Sequence, residues 1–151
     1  MIKDDTNWKI LMLLQQNARM SNAEIGRIVG LTSPAVADRI KKMEDLGVIK
    51  GYRVDVAHTT TGHQLKAIIM LKVFSGRLQP FLEKVSEFKE VINCYRITGI
   101  ENIIMEVLLF DQSHLEEFID KVILYGETRT HIVLSNVVEN RPITNKRRVM
   151  R

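Results

Sequence analysis

The stretch SPAVADRIKK, residues 33–42, concentrates side chains that can read and grip a nucleic-acid duplex. Placed on one helix that enters a major groove by its N-terminal end, Ser33, Pro34, Ala37 and Asp38 fall nearest the base edges. Arg39, Lys41 and Lys42 fall further along or at the rim, where positive groups meet phosphate. Asp38 repels phosphate, so it either accepts from a cytosine amino group or orients a basic neighbour. No rival chemistry has a comparable set of residues. His58, His63, His114 and His131 are scattered, and none pairs with a second histidine and an acid on one helical face as a metal site requires. Cys94 is the lone cysteine, which excludes an intramolecular disulfide and a cysteine-based metal site and suits a reducing compartment. There is no G-x-S-x-G turn, phosphate-binding glycine loop or pair of catalytic carboxylates. The reading is a binding protein, with no catalytic residues, no metal and no cofactor.

Two further helices must hold that segment. Asp4 or Asp5 can cap a first helix carrying Trp8, Ile10, Leu11 and Leu14 at helical spacing, with Asn17 near its exit. Ser21 or Asn22 can cap a second, and with Ser21 as cap Glu24 stands at the capping-box position. Small Gly26 permits close helix approach and Gly30 makes the turn. The third helix starts after Thr32, tolerates Pro34 in its first turn, anchors through Val36, Ile40 and Met43, and ends at Gly47. This is a helix-turn-helix pattern, as against the plain helical hairpin of an ordinary core.

Beyond Gly47 the periodicity changes. VIKGYRVDV reads as a short strand and AHTTTGHQ as a polar linker. KAIIMLKVF, VINCYRITG, NIIMEVLLF and TRTHIVLSNVV then read as strands. LQPFLEKVSEF and SHLEEFIDKVILY are amphipathic helices between them. The order βαββαβ is that of a ferredoxin-like sandwich, so the chain is α+β: a helix-turn-helix (winged-helix-like) domain joined to a ferredoxin-like domain. The domains are expected at residues 1–53 (DNA-binding), 54–66 (strand and linker), 67–140 (effector binding and oligomerisation) and 141–151 (a basic tail that frays). Strands such as AIIML and IIMEVLLF are apolar on successive residues, so both sheet faces need cover. A second subunit through the sheets is the simplest supply.

Charge follows the same division. Residues 1–63 hold nine Lys/Arg against seven Asp/Glu, residues 64–140 hold eight against eleven, and residues 141–151 hold five against none. The net +4 of the 151-residue chain is therefore mostly tail. DNA affinity in the folded part rests on a few local groups, chiefly Arg39, Lys41 and Lys42 with help from Lys50 and Arg53, and the tail can add sequence-independent phosphate contacts. The polar start MIKDDTNW and the lack of a long apolar run predict neither signal peptide nor membrane span.

The combination of NARMS, GLT-xxx-V-xx-R-I and ME-xx-G-V-I, followed by a Gly62 linker and a βαββαβ body, resembles the Lrp/AsnC (feast/famine) family. The resemblance runs to about Pro142. It implies a bacterial or archaeal transcriptional regulator, cytoplasmic and nucleoid-associated, whose partners are double-stranded DNA and itself, as a homodimer that often assembles to an octamer. It also implies a small-molecule effector, commonly an amino acid, bound near the loop between strands two and three and the loop before the last strand. Those positions are Gly99, Ile100, Glu101 and Asn102, with Tyr125, Gly126, Thr128 and Thr130. Asn102 stands where the family usually has an acid, which removes a charge-assisted bond to an ammonium group. The alternatives are a ligand-independent regulator, an architectural protein that wraps DNA, and, more distantly, an amino-acid sensor without DNA binding.

Overall fold

Three capped helices form the N-terminal part of the computed structural model, which describes residues 4–144. Helix α1 (Asp5–Gln16) starts where the Asp4 carboxylate accepts from the Thr6 N–H at 2.7 Å, and it ends at Asn17. Helix α2 (Asn22–Val29) has the expected capping box: Ser21 Oγ accepts from the Glu24 N–H, and Glu24 accepts in return from the Ser21 N–H at 2.9 Å. Such a cap satisfies donors that a helix start leaves without partners and is worth about 1 kcal/mol. Helix α3 (Ser33–Asp45) is capped by Thr32 and carries Pro34 in its first turn, where a missing N–H costs nothing. Ile10, Leu14, Ile25, Val36 and Met43 close a small core between the three helices. Past α3, Gly47 adopts φ +66°, and the Val48 and Ile49 N–H groups both return to the Met43 carbonyl.

The stretch that alternates after Gly47 is not a strand. Residues 51–57 belong to no strand, with Val54 87% exposed, because a strand exists only by ladder pairing and among the described residues no segment forms a ladder with them.

The four-stranded sheet comprises β1 (Leu65–Val73), β2 (Val91–Arg96), β3 (Ile103–Leu109) and β4 (Gly126–Ile132). Helix α4 (Leu78–Lys84), continued by a short 3₁₀ turn at Val85–Glu87, connects β1 to β2, and α5 (Gln112–Val122) connects β3 to β4. The order β2-β3-β1-β4 with antiparallel pairs throughout is the ferredoxin-like arrangement predicted from the βαββαβ order. Alternation sorts the faces. Ala67, Ile69 and Leu71 of β1, with Ile103, Met105, Val107 and Leu109 of β3, are fully buried with Phe81 of α4 and with Phe118 and Val122 of α5. On the opposite face Ile68, Met70, Ile104 and Leu108 are only half-buried and Tyr95 is exposed, with Glu106 accepting from Asn93 Nδ2 at 2.9 Å among them.

The chain divides into two compact units, Met1–Val54 with Val138–Arg151, and Asp55–Val137. The basic tail was expected to fray from Arg141. Residues 145–151 lie outside the described residues, but Ile143 is held by two hydrogen bonds to Gln15.

Candidate nucleic-acid interface and ligand loops

The α2–turn–α3 geometry depends on two glycines doing different things. Gly30 ends α2 at φ +74°, a conformation in which any other side chain would be strained. Gly26 is needed for space: a Cβ there would stand 2.4 Å from the Leu31 carbonyl oxygen, and the Leu31 N–H donates to the Gly26 carbonyl at 2.9 Å. The close approach that sequence assigned to helix against helix is therefore between α2 and the backbone of the turn.

With Val36 and Met43 turned inward, Ser33, Pro34, Asp38, Lys41 and Lys42 are exposed on α3 and Ala37 is half-buried. Lys41 makes a loose surface contact with Asp45 at 3.5 Å, and among the described residues no ion pair involves Lys42 or Asp38. Such a pair contributes little and leaves the lysine available to another anion. Arg39 is placed differently from the two lysines. Its Nη1 donates to the Asp4 carboxylate and to Asn7 Oδ1, the latter at 2.7 Å, so the guanidinium ties α3 to the first turn of α1. That hydrogen bond, helped by the Thr6 N–H, holds the Asp4 carboxyl below its ordinary value of 3.8. Sequence reasoning missed the tie, although Asp4 and Asn7 at a spacing of three share one helical face. Beyond α3, Tyr52 donates its hydroxyl proton to Glu44 at 2.9 Å, and burial followed by the Glu44 contact pushes the phenol pKa up.

In the sheet unit the two predicted ligand loops meet at one end of β1. Gly99 adopts φ +130° and Ile100 is exposed. Asn102 is wired into the sheet: its N–H donates to the Leu71 carbonyl, its carbonyl accepts from the Ile97 N–H, and its Oδ1 accepts from the Val73 N–H at 3.1 Å. Val73 is the residue paired with Gly126, and a Cβ on Gly126 would lie 2.2 Å from the Lys72 carbonyl oxygen. Glu101 reaches Arg129 at 3.0 Å. Thr128 and Thr130, opposite Leu71 and Ile69, are half-buried and face the helices, and Tyr125 packs edge-on against Phe81. Gly99–Asn102, Gly126 and Thr128 are thus brought together, Thr130 lies one pleat further along, and Tyr125 is largely a packing residue. Arg129, which sequence reasoning did not single out, brings a positive charge to this cluster through its pair with Glu101. Among the described residues no group of three or more His, Cys, Asp or Glu could hold a metal ion, and no helix is long and apolar enough to cross a membrane.

Comparison with known proteins assigns both halves. The AsnC-type helix-turn-helix domain matches residues 4–44 and the Lrp/AsnC ligand binding domain matches residues 66–143. The HTH-type transcriptional regulator YezC of Bacillus subtilis is 34% identical over 133 residues, covering 88% of this chain and 94% of that protein. Among solved structures, AsnC of Escherichia coli is similar with a TM-score of 0.84 at 28% identity, covering 95% of this chain and 99% of that one. The regulator NMB0573 of Neisseria meningitidis, in complex with L-Met, shares the fold with a TM-score of 0.90 at 22% identity over 97% and 99% of the two chains. With both domain matches in their expected places and a relative one-third identical over most of its length, this chain belongs to the Lrp/AsnC family of helix-turn-helix transcriptional regulators, which are not enzymes.

Proposed function

We propose that this regulator reads double-stranded DNA with the N-terminal end of α3, works as a homodimer that assembles further, and responds to an amino acid at the β2–β3 loop. The observation that carries the DNA reading is one exposed helical side on which Ser33, Pro34 and Asp38 lead and Lys41 and Lys42 follow. The short polar groups take base edges and the lysines take phosphates. Ala37 lies beside them at half exposure. A bacterial or archaeal cytoplasm, with the protein on the nucleoid, is the setting such a protein requires.

Self-association is supported by two surfaces: the half-exposed sheet face with Ile68, Met70, Ile104 and Leu108, and the segment outside any strand on which Tyr52, Val54 and Val56 are exposed. Exposed apolar side chains of this kind are a ready surface for a second copy. Light scattering that finds a monomer at micromolar concentration ends this reading.

The effector reading rests on donor chemistry. With Asn102 Oδ1 engaged by the Val73 N–H, what its side chain has left to offer is the NH2 donor, which suits a carboxylate rather than an ammonium. The neighbouring Glu101–Arg129 pair offers one group for each end of a zwitterion. The L-Met bound to NMB0573 is of this chemical class. A mobility-shift series on the protein's own upstream DNA, with and without amino acids at two salt concentrations, tests the whole. No shift on that DNA at low salt refutes the DNA reading, and no heat in calorimetry with the common amino acids refutes the effector.

A further inference from the structure

After β4 the chain returns to the unit in which it began, since Val138–Arg151 groups with Met1–Val54. One side chain fixes the return. The Gln15 carboxamide on α1 donates from Nε2 to the Ile143 carbonyl at 3.1 Å and accepts at Oε1 from the Ile143 N–H at 2.8 Å. A carboxamide presents donor and acceptor side by side as a peptide does, so it satisfies both backbone groups of one residue as a neighbouring strand would. Beside this pair lies a groove of about 460 Å³ walled by Trp8, Leu11, Ile49 and Tyr52 and flanked by Lys50 and Arg53, and Ile143 is part of its lining.

We propose that this groove is the seat of the chain's own C-terminal segment, that Gln15 is its anchor, and that the seat sets how much the basic tail adds to DNA affinity. The occupant follows from the hydrogen bonds, which satisfy both backbone groups of residue 143 of this chain. Charge gives the seat its consequence. Residues 141–151 carry five Lys/Arg and no Asp/Glu, and Ile143 lines the same groove as Lys50 and Arg53, so an anchor at residue 143 tethers that charge by chain connectivity near two more cations. Like charges gathered in one place repel, so the segment is not drawn there by electrostatics and depends on the Gln15 pair and the apolar wall. A phosphate backbone relieves that repulsion, so seating and DNA binding strengthen one another. Lost anchorage lets the same charges spread, which lowers the number of phosphates neutralised together.

The tail's role rests on the DNA reading above, while the seat does not. In the full-length protein, hydrogen exchange at the Ile143 amide is expected to be slowed about tenfold or more relative to an unprotected amide. Gln15→Ala is expected to abolish that protection while leaving the Trp8 fluorescence melt unchanged. On a duplex carrying the protein's own site, Gln15→Ala is expected to weaken binding about three- to tenfold and to flatten the salt dependence. Deletion of residues 145–151 should do the same, and Gln15→Ala in the shortened chain should add nothing. Exchange at the unprotected rate in the unmodified protein overturns the seat. Equal losses from Gln15→Ala in long and short chains overturn its link to the tail. If no variant binds duplex while Ile143 is protected, the DNA reading and the tail's role both fall and the seat stands.

Discussion

The two units hold themselves together by different means. In the sheet unit ten fully buried hydrophobic residues form one layer between sheet and helices. Among the described residues of the three-helix unit the buried core is Ile10, Leu14, Ile25, Val36 and Met43, and polar devices complete it: a cap on each helix, the Ser21–Glu24 box, and Arg39 bridging to Asp4 and Asn7. A buried Leu or Phe contributes about 1.5–3 kcal/mol, so the sheet unit has stability in reserve and its loops are free to carry ligand groups. The small unit has no such reserve. One of its polar ties, Arg39, lies on the same helix as the proposed DNA-contacting residues, so stability and binding are separable in one unit and entangled in the other.

The largest effects should come from steric and volume changes, with opposite signatures in the two units. Phe118→Ala empties the sheet core and is expected to cost about 3–5 kcal/mol, read as an earlier far-UV circular dichroism melt. Gly26→Ala adds one methyl against the Leu31 carbonyl and should destabilise the three-helix unit by about 1–3 kcal/mol. Trp8, the single tryptophan, reports that melt by fluorescence. Gly26→Ala should also weaken duplex binding at temperatures where the protein stays folded, because the turn sets the angle of α3. A Gly26→Ala protein with unchanged melt and affinity would break the contrast.

Next in size are the basic residues of α3, where the structure separates two roles. Arg39→Ala removes a tie between helices, so affinity is expected to fall about tenfold with the salt slope unchanged, and Asp4→Ala should reproduce it. Lys42→Ala removes a phosphate contact, so affinity should fall severalfold on all sequences alike, with the salt slope reduced by about one per subunit. Ser33→Ala and Asp38→Asn should instead shift preference between sequences. A fall in salt slope for Arg39→Ala equal to that for Lys42→Ala would return Arg39 to the phosphate-binding set.

These roles also mark how far the sequence could be read. The capping box, the turn glycine and the βαββαβ order are local or periodic signals, and each reappears in the structure as an element. The Arg39 tie spans more than thirty residues, and nothing in SPAVADRIKK distinguishes an arginine facing phosphate from one facing α1. Asn102 was legible as a departure from an acid, but its use of Oδ1 on Val73 depends on strand register that periodicity does not fix. The segment after Gly47 has the composition of a strand but forms no ladder among the described residues, which composition does not show. Arg129 was hidden because alternation in TRTHIVL assigns it a face without naming its neighbour.

The smallest effect is a pH dependence that also differs between the units. The Asp4 carboxyl is held below its ordinary 3.8, first by Arg39 and then by the Thr6 N–H. For Glu90, burial raises the pKa, but its own backbone N–H, Lys121 Nζ at 2.9 Å and His114 outweigh burial and leave it below 4.5. A carboxyl whose folded pKa is depressed adds stability above its unfolded pKa and loses it as pH falls through the folded one. Neither group therefore changes stability between pH 7 and about 5, and both lose their contribution in the acid range, Glu90 beginning nearer its ordinary 4.5 and Asp4 nearer 3.8. Glu90→Gln should flatten the acid limb of the circular dichroism melt, and Asp4→Asn should flatten that of the Trp8 fluorescence melt. Because Asp4 is well solvated, salt screens its tie to Arg39 more than it screens the mostly buried Glu90, so added salt should shrink the Asp4 effect first.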